Sequence, residues 1–113
     1  MTVITAGPIT VDTRNRDRTS VQGRPLALTR MEHQLLVTLL SRPARPLSRV
    51  WLHQHVWQDE PTDDTRTVDM TVSRLRAKLG GAARMIQTVR GVGYRFDDMP
   101  PRSTRRRTIR SRR

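Results

Sequence analysis

Cysteine is absent from this 113-residue sequence, and lysine, tyrosine and phenylalanine occur only once each. Without cysteine the chain forms neither disulfides nor thiolate metal sites. No apolar run approaches the roughly 20 residues that span a bilayer, and the first residues show no secretory signal pattern. These absences predict a cytoplasmic protein without a membrane partner. The sequence also shows no nucleophile–base pair, metal cluster or phosphate-cradling loop, so we expect neither an enzyme nor a cofactor.

Positive charge is the most abundant feature of the composition. The chain carries 22 basic and 10 acidic residues, a formal net charge of +12, which favours a polyanionic partner such as nucleic acid. Seven of the arginines lie in residues 100–113, which contain no acid and cannot bury a core. We therefore predict one domain over residues 1–98 and a disordered, arginine-rich tail over residues 99–113. The tail carries more than half of the net charge, which weakens any argument about the domain from charge alone.

Short runs with β character occupy the N-terminal quarter, at 2–5, 9–11, 18–21 and 25–28. Gly7-Pro8, Asn15 and Gly23 separate these runs as turns. The pattern predicts a small antiparallel sheet of three or four strands. A loosely ordered N-terminal arm is the alternative.

Two helices are predicted next, each with a recognisable first residue. Thr29 and Glu32 form the pattern of a capping box, and Ser48 is a good cap for a shorter helix. His53 and His55 lie two residues apart and so point to different sides of that helix, which makes it difficult for them to bind a metal jointly. We expect both histidines at the surface or its boundary. The apolar residues that define the first helix are Met31, Leu35, Leu36, Leu39 and Leu40.

A third amphipathic helix is predicted from about 65 to 79, ended by Gly80-Gly81. A β-hairpin follows, from 85–89 to 94–96, with Arg90 at its tip and with Tyr94 and Phe96 packed against the helices. The buried stripe of the helix is Val68, Val72, Leu75 and Leu79. Its opposite, polar face is Thr67, Met70, Thr71, Arg74 and Lys78.

The second and third helices fit a helix–turn–helix with a long connection, in which the later helix enters the major groove. The guanidinium of Arg74 then suits guanine O6 and N7, and Arg90 suits a narrow minor groove. A charged face that is simply solvated is the alternative interpretation of each assignment. Near the helix edges, where phosphates would run, lie Arg66, Thr67, Thr71, Ser73, Arg76 and Lys78.

Four groups of residues occur in a fixed order along the chain. They are Leu28-Thr29 with Glu32 and Leu35-Leu36; Leu47-Ser48-Arg49 with Val56-Trp57; Arg66-Thr67-Val68-Asp69 with Val72-Ser73-Arg74-Leu75-Arg76 and Lys78-Leu79; and Ile86 with Thr88-Val89-Arg90-Gly91-Val92-Gly93-Tyr94-Arg95-Phe96. Together they resemble the winged-helix effector domain of OmpR/PhoB-type response regulators over about residues 3–97. The resemblance implies an α+β fold: a winged helix-turn-helix with an N-terminal four-stranded antiparallel sheet, three helices and a C-terminal β-hairpin wing.

The resemblance also implies roles for individual residues on double-stranded DNA. Arg74, Met70, Thr71 and Arg90 are expected to contact bases, with Met70 and Thr71 at positions that vary with the target sequence. The acidic loop, whose carboxylates are Asp59, Glu60, Asp63 and Asp64, is where such regulators often touch RNA polymerase; its other role is to cap a helix. Contacts to the DNA backbone are expected for Trp57, Arg66, Thr67, Ser73, Arg76, Lys78 and Thr88.

The chain departs from the family in several places. Arg30 stands where proline is frequent, and His33 where an aromatic is usual; neither change prevents a helix. No segment precedes residue 3 to form the phosphoacceptor receiver domain, so we expect a lone effector domain or a fragment, and the arginine tail is not a family feature. Tight binding by so small a module is expected to need two copies on tandem half-sites.

The leading hypothesis is a sequence-specific, double-stranded DNA-binding transcriptional regulator of a two-component type. A basic RNA-binding or ribosome-associated protein is the first alternative, since its charge and tail would serve equally well. A module that binds polymerase or another regulator through the acidic loop, with only weak affinity for DNA, is the second alternative.

Overall fold

The computed structural model describes residues 3–58 and 64–98. An antiparallel sheet opens the chain, with strands in the order β1 (Val3–Ala6), β2 (Ile9–Asp12), β3 (Ser20–Val21) and β4 (Arg24–Pro25). The prediction of a small N-terminal sheet is confirmed, and it has four strands. β3 and β4 are both shorter than predicted. β3 begins only at Ser20 because residues Arg16–Arg18 form a 3-10 turn, capped by the side chain of Asn15.

Helix α1 (Arg30–Ser41) begins at the predicted capping box. The backbone N–H of Thr29 donates to Glu32 Oε1 at 2.9 Å, and the N–H of Glu32 donates to Thr29 Oγ1 at 3.2 Å. Leu35, Leu36 and Leu39 are completely buried and form the centre of the core. Local capping and a stripe of leucines at helical spacing therefore place α1 as the sequence predicted.

Helix α2 (Arg49–Val56) begins after Ser48, whose hydroxyl accepts a hydrogen bond from the N–H of Trp51 at 3.0 Å. The expectation that His53 lies at the surface or its boundary is wrong, since it is buried and only 5% exposed. His53 stacks on Trp57, four residues later, with ring centroids 5.6 Å apart. Residues four apart lie on the same helix face, so the face that buries Trp57 also buries His53.

Helix α3 (Arg66–Leu79) buries the predicted stripe of Val68, Val72, Leu75 and Leu79 against α1 and α2. It ends at Gly80, whose φ of 60° is a left-handed conformation that glycine adopts readily. A 3-10 segment, Gly80–Met85, then leads to the C-terminal hairpin.

The hairpin consists of β6 (Ile86–Val89) and β7 (Gly93–Phe96), and it belongs to a second sheet. A strand absent from the sequence prediction, β5 (Leu47–Ser48), pairs with β7, so that the order is β5-β7-β6. Gly93 is required at this junction, since a Cβ there would collide with the carbonyl oxygen of Leu47 and lie only 3.0 Å from the Cα of Ser48. Tyr94 and Phe96 are buried in the core, as predicted.

The fold is thus the predicted α+β winged helix. No helix within residues 3–58 and 64–98 is both long and apolar enough to cross a membrane. The predicted tail, 99–113, and three carboxylates of the acidic loop, Asp59, Glu60 and Asp63, lie outside the described residues.

Candidate nucleic-acid interface

The outer face of α3 presents an arginine and a methionine to solvent. Met70 is 52% exposed, and Ser73 and Arg74 are exposed beside it. Among the described residues, no hydrogen bond or ion pair engages the side chain of Arg74. Its five N–H donors are therefore available to a ligand in the orientation that the helix gives them.

Thr71 does not belong to this outer face, contrary to the sequence prediction. It is 6% exposed, and its hydroxyl donates to the carbonyl of Thr67 at 2.8 Å, one turn earlier. The buried stripe of α3 is therefore wider than the four residues that the sequence predicts. Trp57 is also buried.

A groove of about 650 Å³ runs between the start of α1 and the exposed side of α3. Arg74 and Lys78 stand along one wall, and Thr29 and Glu32 stand along the other. The groove therefore continues the outer face of α3 toward α1. Its remaining lining residues are Met31, Trp57, Thr67, Thr71 and Ala77.

Lys78, at the end of this groove, is held by α1. Its Nζ lies 2.6 Å from Glu32 Oε1 and donates to the carbonyl of Ala27 at 2.8 Å. Burial alone would raise the pKa of Glu32, but the hydrogen bonds from Lys78 and Thr29 and the charge of Lys78 lower it overall. The predicted phosphate contact is therefore also an ion pair that joins α3 to α1.

The other predicted cation near the start of α3, Arg66, faces solvent. Its side chain is 85% exposed, and its Nε and Nη2 donate to the two oxygens of Asp64 at 3.0 and 2.9 Å. These hydrogen bonds lower the pKa of Asp64 to about 2. Asp64, the described carboxylate of the acidic loop, thus lies beside the first turn of α3.

The tip of the hairpin carries Arg90. The turn is closed by a hydrogen bond from the N–H of Val92 to the carbonyl of Val89 at 2.9 Å, with Gly91 at a φ of 77°. Arg90 is exposed, and its side chain has no hydrogen bond or ion pair in the parts of the chain that the structure describes. Like Arg74, it is a cation free to meet a ligand.

The hairpin is attached to α3 through Arg76. Its Nη2 donates to the carbonyl of Ile86 at 2.7 Å and to Thr88 Oγ1 at 2.9 Å, and its Nε donates to the same carbonyl at 3.2 Å. Two residues predicted to touch the DNA backbone, Arg76 and Thr88, are therefore hydrogen-bonded to each other.

A cluster around Asp69 was not singled out as functional from the sequence. Asp69 Oδ1 accepts a hydrogen bond from Arg49 Nε at 2.7 Å and another from the hydroxyl of Tyr94. Burial alone would raise the pKa of Asp69, but the two hydrogen bonds lower it overall, while burial and Asp69 together raise the pKa of Tyr94. The three residues come from α3, α2 and β7, and no spacing rule pairs side chains 20 and 25 positions apart.

The sequence of this domain also matches those of known transcriptional regulatory proteins. Residues 23–96 match the family model described as "Transcriptional regulatory protein, C terminal". The chain belongs to this family, the OmpR/PhoB-type effector domains.

Relatives of this OmpR/PhoB-type domain include longer regulators. The chain is 42% identical over 98 residues to the transcriptional regulatory protein AfsQ1 of Streptomyces coelicolor, covering 84% of this chain and 42% of AfsQ1. It is 46% identical over 74 residues to the phosphate regulon regulator PhoB of Escherichia coli, covering 64% of this chain and 32% of PhoB. The chain thus spans less than half the length of these relatives.

Solved structures of similar fold include two domains bound to DNA. The Klebsiella pneumoniae RstA DNA-binding domain in complex with the RstA box superposes with a TM-score of 0.75 and 31% identity, covering 88% of this chain and all of that one. The AdeR DNA-binding domain in complex with an intercistronic region gives a TM-score of 0.72 and 32% identity, covering 83% and 98%.

The OmpR/PhoB-type fold brings only some of the sequence-predicted residues to an open surface. Met70, Ser73, Arg74 and Arg90 are exposed, and Arg66 is exposed beside Asp64. Lys78, Arg76 and Thr88 are exposed or half-buried and already hydrogen-bonded within the protein. Thr71 and Trp57 are buried and line the groove beside Arg74.

Proposed function

We propose that this OmpR/PhoB-type domain binds duplex DNA sequence-specifically and regulates transcription, with α3 in the major groove and the β6–β7 wing in the minor groove. The observation that carries the proposal is the pair of exposed, unengaged arginines, Arg74 on α3 and Arg90 at the wing tip. The resemblance to RstA and AdeR, whose DNA-binding domains are known bound to DNA, supports it.

Base recognition is assigned to the outer face of α3. Arg74 donates two parallel hydrogen bonds to guanine O6 and N7, the commonest specific contact in the major groove. Met70 supplies an exposed apolar side chain one helical turn earlier, suited to a thymine methyl group. Arg90 enters the minor groove, where a narrow groove concentrates negative potential.

Backbone contacts flank these base contacts. Arg66, Thr67 and Ser73 lie on or beside the outer face of α3 and position the helix on phosphates. Thr88, Arg76 and Lys78 retain spare donor or acceptor capacity beyond their internal hydrogen bonds and reach phosphates from the wing and the groove. Thr71 and Trp57 are buried, and their role is to shape the groove beside α3 rather than to contact DNA directly.

A domain of this size offers few contacts, so we also propose that tight binding uses two copies on tandem half-sites in the bacterial cytoplasm. Asp64 and the neighbouring acidic residues Asp59, Glu60 and Asp63 are the proposed contact for RNA polymerase. Negative charge at this edge is repelled by phosphates, which favours a protein partner there.

Selection of binding sites from a random duplex pool tests the base-reading role of Arg74. Arg74→Ala is expected to lower affinity for the selected site by about 1–3 kcal/mol and to flatten preference at one position, since the two hydrogen bonds to one guanine are removed. The measurement is a competition binding assay against duplexes changed at single positions.

Arg24→Ala is the matched control, because Arg24 is an exposed arginine on β4, outside the proposed interface. It is expected to leave the preference unchanged. Equal discrimination by Arg74→Ala and the parent would contradict the assignment. Retention of structured RNA in the presence of excess duplex DNA would instead favour an RNA-binding protein.

A further inference from the structure

The orientation of the wing relative to α3 depends on side-chain contacts more than on the chain between them. The connection is the 3-10 segment Gly80–Met85, which opens with two glycines that have no other atom within 4 Å of where a Cβ would stand. A two-stranded hairpin is at best marginally stable by itself. The pairing of β7 with β5 adds only two residues, Leu47 and Ser48, so contacts to the helices act together with that pairing in holding the wing in place.

The first such contact is centred on Tyr94 of β7. Its hydroxyl donates to Asp69 Oδ1 on α3, and the same oxygen accepts from Arg49 Nε at 2.7 Å. The guanidinium of Arg49 lies 5.3 Å from the centre of the Tyr94 ring. Because Arg49 is the first residue of α2, this one carboxylate connects both helices of the helix–turn–helix with the wing.

The second contact runs along the other strand. Arg76 of α3 donates to the carbonyl of Ile86 and to Thr88 Oγ1 on β6, and its guanidinium lies 5.5 Å from the Tyr94 ring centre. Asp69 and Arg76 are seven residues apart, two helical turns, so they lie on one side of α3 and grip the wing at two points. Two points of attachment fix the angle between the wing and α3, whereas a single point would let the wing rotate about it.

We propose that Asp69 and Tyr94, assisted by Arg76, are positioning residues that fix the spacing at which α3 and the wing read DNA. Arg74 and Arg90 then contact positions separated by a set number of base pairs. The inference rests on the proposed function and adds to it a determinant of site length that need not touch a base. The positioning role also explains why the base of the wing holds a half-buried ionic cluster. Hydrogen bonds fix the direction of an attachment, whereas apolar contacts do not.

The test compares duplexes that differ only in spacing. Pools selected by the parent, by Arg74→Ala and by Arg90→Ala locate the two positions that these arginines read. One base pair is then inserted or removed between those positions. The parent is expected to lose at least about fivefold in affinity for either altered duplex, the smaller end of what one direct base contact contributes.

Tyr94→Phe removes the hydroxyl and keeps the ring, and Asp69→Asn keeps the shape of the acceptor without its charge. Both variants are expected to shrink the penalty for altered spacing to within about twofold, because a looser wing adapts to either duplex. Affinity for the unaltered site falls at the same time. An increase in tolerance is a readout that general destabilisation does not produce.

Val11→Ala is the control for stability, since Val11 is completely buried in β2, away from the cluster. It is expected to lower the melting temperature and to leave the spacing penalty at the parental value. A selective parent whose Tyr94→Phe and Asp69→Asn variants keep the full penalty would overturn the positioning role alone. A parent without any sequence preference would overturn the proposed function and the positioning role with it.

Discussion

Lys78 shows how one side chain can serve both the fold and the surface. Sequence spacing places it at the edge of α3, as a phosphate contact, and the structure adds a nearly buried carboxylate, Glu32, 2.6 Å from its ammonium. Glu32 in turn accepts the N–H of Thr29 as part of the α1 capping box. Replacement of Lys78 therefore affects the start of α1 as well as any phosphate.

Lys78→Met is expected to lower the free energy of unfolding at pH 7 by about 1–3 kcal/mol, because a buried carboxylate loses its charged partner. The folded-state pKa of Glu32 lies below its unfolded value of 4.5. The interaction therefore stabilises the fold above pH 4.5 and is lost as the pH falls through the folded-state pKa. Urea denaturation of parent and variant at pH 7 and at low pH measures both effects.

The difference between the two proteins is expected to shrink in acid. Arg45→Met is a suitable control, since Arg45 is exposed and forms no ion pair in the described part of the chain. A loss of stability that is the same at both pH values would exclude the Glu32 carboxylate as its cause.

At the scale of elements, the junction of β5 and β7 depends on a residue without a side chain. A Cβ on Gly93 would collide with the carbonyl oxygen of Leu47 and lie 3.0 Å from Ser48 Cα and 3.1 Å from the N of Arg49, where α2 begins. The two sheet strands are thus paired directly beside the cap of a helix. The β5–β7 pair and the start of α2 therefore cannot shift relative to one another without disturbing both.

Gly93→Ala is expected to destabilise the fold by about 1–3 kcal/mol, the usual cost of forcing atoms into a packed site. Thermal denaturation followed by circular dichroism measures the change. Gly81→Ala provides the comparison, because Gly81 has a negative φ and no atom within 4 Å of the added carbon. Comparable losses in the two variants would show that close packing at Gly93 is not the cause.

The elements that the sequence predicted well are those with local causes. Thr29, Ser48 and Gly80 mark helix ends through contacts within a few residues, and the apolar stripes of α1 and α3 have a clear period. β5 was missed because two residues show no periodicity, and it exists through pairing with β7 more than 40 positions later. Burial of Thr71 and His53 likewise depends on which neighbouring helix covers them, which spacing along the chain does not show.

The same distinction holds for the candidate site. Arg74 and Arg90 follow from helix phase and turn position, both local properties, and the structure leaves both exposed. The partners of Arg76 and Asp69 lie 10–25 residues away and are set by the packing of the wing. The sequence therefore predicts the exposed cations Arg74 and Arg90, but it does not reveal the hydrogen bonds of Arg76 and Asp69 that attach the wing to α3.

At the scale of the whole molecule, charge is unevenly distributed along the chain. Seven arginines in residues 100–113 leave +5 of the +12 net charge for the rest of the protein. Base preference is assigned to α3 and the wing, so the terminal arginines are expected to add affinity without adding specificity.

Deletion of residues 100–113 is expected to weaken binding to all duplexes by a similar factor. The slope of log K against log salt is expected to fall by about 0.9 for each phosphate that the shortened chain no longer neutralises. Binding to a selected site and to an unrelated duplex, measured over a series of salt concentrations, gives both quantities. A weakening confined to the selected site would mean that these residues read bases or DNA shape.

The inward direction of Asp69 has a consequence for how such a domain can diversify. Its hydrogen bonds to Arg49 and Tyr94 lie on the side of α3 that faces the wing, whereas Met70, Ser73 and Arg74 project outward. With base recognition proposed for the outward side, substitutions there are expected to alter which operator is chosen and to leave the attachment of the wing intact. Duplicated copies of the gene can therefore acquire new targets one surface residue at a time, without rebuilding the scaffold.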